Sequence, residues 1–69
     1  MVDEEKHGRI KEALKLRGLS LSDIARAQDV KPSTVSLVST GWRRSHRLEV
    51  AIADALELTP DEIWPDRYS

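Results

Sequence analysis

Apolar residues recur along this 69-residue chain at the three- and four-residue spacing of helices, and nowhere do they alternate with the period of two that marks a strand. Between Glu4 and Arg17, Ile10, Ala13 and Leu14 fall on one face amid charged residues, and Gly18 then supplies the positive-φ stop that helix ends favour. A second helix is predicted from about Leu21 to Gln28, with Leu21, Ile24, Ala25 and Gln28 along one stripe. Ser20 and Asp23 have the spacing of a capping box there, and Leu19 and Ile24 bracket it as a hydrophobic staple. The stripe breaks near Asp29. Pro32, whose fixed φ and missing N–H suit a first helical position, opens a third helix in which Val35 and Val38 face inward and which Gly41 ends.

The strongest periodic signal comes next: Leu48, Ala51, Ile52, Ala55 and Leu56 trace one face of a fourth helix, with Ser45 as its cap. TPDEIW then repeats the start signals, with Thr59 as cap, Pro60 at the first position, Glu62 at the third and Leu58 against Ile63 as the staple. A short final turn stops at Pro65, and Trp64 and Tyr68 are expected to close the core. The third helix stands apart. Ser33, Thr34, Ser36, Leu37, Ser39 and Thr40 give it poor intrinsic helix propensity, because β-branching and hydroxyl competition both oppose the helical backbone, so packing must hold it.

Size and composition narrow what such an all-α chain can be. Residues 1–69 read as one domain, which at this length hides only about 60% of the surface its unfolded chain exposes. There is no cysteine, so no disulfide or thiolate metal site supports it. No apolar stretch approaches the roughly 18 residues that span a bilayer, and MVDEEKHGR is too charged for a signal peptide, so a cytoplasmic location with no membrane partner is expected. The glycines stand singly, which gives no phosphate-cradling loop; Ser45 and His46 adjoin only in sequence; and His7 and His46 lack further ligands at metal spacing. Neither an enzyme, a cofactor, a metal nor a small-molecule ligand is expected from this pattern.

The net charge of −1 conceals a sharp division. Residues 1–30 carry six cations and six anions, residues 31–48 four cations and no anion, and residues 49–69 one cation and six anions. A segment kept free of acids is what a phosphate-facing surface needs, since local potential rather than bulk charge governs that contact. Two short helices joined by a tight turn at Asp29, with small Ala25 allowing close approach and Val30, Val35 and Val38 closing the core, form a helix-turn-helix pattern. The expected base-reading groups are Ser33, Thr34, Ser36 and Leu37, hydroxyls for base edges and one apolar group for a thymine methyl. Ser20, Ser22, Lys31, Thr40, Trp42, Arg43, Arg44 and Arg47 are the expected phosphate contacts.

LSDIARAQDVKPSTVSLV, Leu21 to Val38, resembles the helix-turn-helix unit of the lambda-repressor-like superfamily, with Ala25, Val30 and Val35 at its signature positions. IADALELTPDEIWPDRY, Ile52 to Tyr68, is similar to the C-terminal segment of the Ner and Nlp family, small DNA-binding regulators of transposable phages and their bacterial relatives. Three departures stand out: Asp29 and Glu57 occupy places where relatives commonly have glycine, and Lys31 stands where a small capping residue is usual. The loop from Thr40 to Arg47 is also longer. The resemblance implies a lambda-repressor-like bundle of four to five short helices and a bacterial or phage-encoded repressor of transcription. Its partner would be double-stranded DNA, bound as a homodimer or as paired monomers, with the helix at 32–40 in the major groove. The alternative is a protein-binding module of antitoxin or oligomerisation type, in which the acids Glu49, Asp54, Glu57, Asp61, Glu62 and Asp66 face a basic partner.

Overall fold

Side-chain oxygens placed just ahead of helical stretches decide where this chain turns. The structure, a computed structural model, describes residues 3–68, and among them lie five helices and no strand. These are α1 (Glu4–Leu16), α2 (Leu21–Gln28), α3 (Pro32–Thr40), α4 (His46–Ala55) and α5 (Pro60–Ile63). The Asp3 carboxylate accepts from the Lys6 N–H at 2.9 Å and starts α1. Ser20 and Asp23 form the reciprocal capping box of α2, Ser45 accepts from the Leu48 N–H at α4, and Thr59 with Glu62 forms a second box at α5. Lys31, ahead of α3, provides no side-chain cap, and Pro32 alone marks that start.

Four of these helices end alike. A residue with positive φ follows each of α1 to α4, namely Gly18, Asp29, Gly41 and Glu57. In each case the next N–H reaches back to a carbonyl of the last turn: Leu19 to Leu14, Val30 to Ala25, Trp42 to Leu37 and Leu58 to Ala53, all at 2.9 to 3.0 Å. This closure satisfies carbonyls that a helix end leaves open. Asp29 and Glu57, at φ 57° and 58°, therefore adopt the conformation that glycine would take more cheaply.

Most predicted inward positions are buried, but Ala13, Leu21, Gln28, Ala51 and Ala55 are only half-buried, and Ala53, which the pattern left out, is fully buried. Ile10 and Leu14 of α1, Ile24 and Ala25 of α2, Val35 and Val38 of α3, Leu48, Ile52, Ala53 and Leu56 of α4, and Ile63 and Trp64 form one core, with Val30 and Tyr68 packed on its edge. α2 makes its most extensive contact with α3, and α3 also leans on α1 and α4. Two expected staples are looser than foreseen, because Leu19 and Leu58 remain more than a third exposed while Ile24 and Ile63 are buried.

Candidate nucleic-acid interface

The outer face of α3 follows from its sequence. Val35 and Val38 are fully buried, which turns Ser33 and Leu37 to solvent and leaves Thr34 and Ser36 half-buried beside them. Hydroxyls and one exposed leucine thus line a short rod whose opposite side is sealed into the core. Lys31 is exposed at the start of the rod. Trp42, Arg43 and Arg44 follow its end, Trp42 with 69% of its surface open. Arg47, on the first turn of α4, is also exposed, and its guanidinium donates to the Gln28 side chain at 3.0 Å and to the Gln28 carbonyl, which ties α4 to the end of α2.

Thr40 corrects the sequence expectation. It is only 7% exposed, and its hydroxyl donates to the Ser36 and Leu37 carbonyls at 2.9 and 3.2 Å, as a threonine in a last helical turn readily does. Its hydroxyl is committed to its own helix rather than offered to a phosphate. At the start of α2, the Ser20 N–H and hydroxyl both donate to the Asp23 carboxylate, at 2.8 and 3.1 Å, so Ser22 is the open hydroxyl there.

Glu49 is a second correction. Counted among acids that could meet a basic partner, it is instead 1% exposed. Its Oε2 accepts from Arg67 at 2.6 Å and lies 3.6 Å from the Arg44 Nε, while Oε1 accepts from the Tyr68 hydroxyl. Burial, helped by the hydrogen bond to Glu49, pushes the Tyr68 hydroxyl up, so it stays protonated and donates. Tyr68 also faces His46 Nδ1 at 3.0 Å, and Arg67 lies over the Trp64 ring. The acid nearest in sequence to the cationic segment is therefore neutralised inside the molecule.

His7 provides a further contact that local sequence could not reveal. Its Nδ1 sits 2.7 Å from the hydroxyl of buried Ser39, and the Asp3 N–H donates to the Thr40 carbonyl at 2.8 Å, so the beginning of α1 grips the end of α3. Loss of solvent, then the nearby Lys11 charge, hold the His7 ring below the usual imidazole range despite Glu4.

A rod with a hydroxyl-rich outer face, packed on a preceding short helix and flanked by cations, has the form of a helix-turn-helix reading head. The family model for winged helix-turn-helix DNA-binding proteins matches residues 5–69. The chain belongs to this family. Among its described residues the chain carries no strand, and residues 41–45 form a loop between α3 and α4. Two curated relatives are similar to it, each a "Negative regulator of transcription". The protein of Escherichia phage D108 is 40% identical over 55 residues, 80% of this chain and 73% of the relative. That of Escherichia phage Mu is 39% identical over 56 residues, 80% of this chain and 71% of the relative. No solved structure matches. The Ner resemblance of the C-terminal segment agrees with these phage regulators.

Proposed function

We propose that this chain is a negative regulator of transcription that binds double-stranded DNA with α3 in the major groove. The observation that carries the reading is the outer face of α3, with Ser33 and Leu37 exposed and Thr34 and Ser36 half-buried beside them, on a helix anchored by Val35 and Val38 and beside a run of residues with four cations and no acid. Short polar groups suit base edges, and the Leu37 side chain suits a thymine methyl. Lys31, Arg43, Arg44 and Arg47 meet phosphates on both sides of the groove, with Ser22 and Trp42 as neutral donors. One module this small buries limited surface, so two copies on half-sites about one helical turn, roughly 34 Å, apart complete the specific complex. No catalytic step belongs to this reading, and the cytoplasm is the compartment where such DNA is met.

Selection of bound duplexes from a random pool tests it, because motif, symmetry and spacing emerge together. Ser33→Ala or Thr34→Ala is expected to relax preference at one or two base pairs. Arg43→Ala is expected to weaken every sequence alike and to flatten the slope of log affinity against log salt by about 0.9. A pool that returns no enriched motif at low salt overturns the reading.

A further inference from the structure

The buried Glu49 carboxylate has two guanidinium groups directed at the same oxygen. A charge at 1% exposure must be paired and hydrogen-bonded to be tolerated. Arg67, 11% exposed, supplies a direct bond to Oε2 at 2.6 Å, and the Tyr68 hydroxyl occupies Oε1. Arg44, 62% exposed, stands 3.6 Å from that Oε2, beyond hydrogen-bond reach, held only by a solvent-screened attraction. From this geometry we infer that Arg67 and Tyr68 are positioning residues for DNA binding: by satisfying Glu49 they leave the Arg44 guanidinium available to a phosphate.

The competition is local and has a direction. Without the Arg67 bond, Oε2 keeps its charge and its burial but loses its donor, and Arg44 is the cation already facing it. Arg44 then closes on Glu49 and is withdrawn from the strand. With Arg67 in place, a DNA phosphate, which offers Arg44 charge-assisted and bidentate bonds, is the stronger attraction. The C-terminal turn, on the far side of α4 in sequence, thus governs one contact of the 41–47 loop. The inference rests on the proposed phosphate contact of Arg44 and adds residues that touch no DNA.

Anisotropy titrations of the whole chain against a fluorescein-labelled duplex of mixed sequence, over a series of salt concentrations, test it. Arg44→Ala and Arg67→Ala are each expected to flatten the log–log slope by about 0.9, and the double variant to be no flatter than either alone. Arg67→Lys restores the slope. Glu49→Gln combined with Arg67→Ala also restores it, because a neutral amide does not hold Arg44, and this pair contains no unpaired buried charge should Arg67→Ala alone fail to fold. A merely structural tail would lower the folded fraction without making the Arg44 effect depend on Arg67. A wild-type slope for Arg67→Ala, additive losses in the double variant, or a flattened slope for the Glu49→Gln pair overturns the inference. If Arg44→Ala itself leaves the slope unchanged, the proposed Arg44 contact fails and the inference with it; if only Arg67→Ala does so, the DNA-binding reading stands.

Discussion

Single residues in this chain show how far a side chain's effect depends on what lies opposite it in space. His7 reads in sequence as a lone surface histidine, yet it bonds Ser39 across 32 positions. Its ring is held below the ordinary imidazole pKa of about 6.5, so the folded state binds fewer protons than the unfolded one just below that pH. The stability due to His7 is complete above about 6.5 and is lost as pH falls through the lower folded value. Urea midpoints at neutral and mildly acid pH are expected to fall in that direction, and by less in His7→Gln. Beside it, Gly8 lies within α1 with open space where a Cβ would stand. Gly8→Ala is expected to raise stability by about 0.5 to 1 kcal/mol, measured by the same midpoints, since it removes backbone freedom from the unfolded chain and adds no clash.

Elements are where the sequence is most readable, and the reason is reach. The Ser20 and Thr59 boxes, Pro32 and the positive-φ residues act on backbone groups within a turn, so helix limits can be inferred from neighbours, even at Asp29 and Glu57 where side chains adopt a glycine conformation. The outward face of α3 is legible for the same cause: once Val35 and Val38 point in, helical geometry sets the rest. Thr40 illustrates the limit, because spacing put it in the cationic run while the choice between phosphate and its own helix carbonyls is made by burial. Glu49 was hidden too, its partners standing 18 and 19 residues away with no local mark. α3 itself is a poor helix former held by its buried side. Val35→Asp, which puts an unpaired charge where no surface is exposed, is expected to abolish the cooperative thermal transition seen by circular dichroism. A helical, cooperatively melting Val35→Asp protein would remove α3 from the core.

At the scale of the molecule, charge is sorted rather than abundant. A chain of net charge −1 is expected to bind DNA weakly in general and firmly only where its cationic third meets a strand. The phosphate contacts proposed for four cations, Lys31, Arg43, Arg44 and Arg47, lead to an expected salt slope of about −3.6 for one bound chain, doubled on a palindromic duplex that seats two copies. Titration of single and paired half-sites distinguishes the two values. The acids of residues 54–66 are exposed, and one of them, Asp66, lines the same concavity as Arg44.

The two tryptophans occupy opposite environments: Trp64 is sealed against the core beneath Arg67, whereas Trp42 stands open at the end of α3. Light emitted by this protein is therefore the sum of a sheltered and a watery indole. Replacing Trp42 with phenylalanine is expected to leave an optical gauge of unfolding, and replacing Trp64 one that responds to DNA, as the proposed Trp42 contact requires. Folding and the DNA contact proposed for Trp42 are thus expected to be separable without an attached dye.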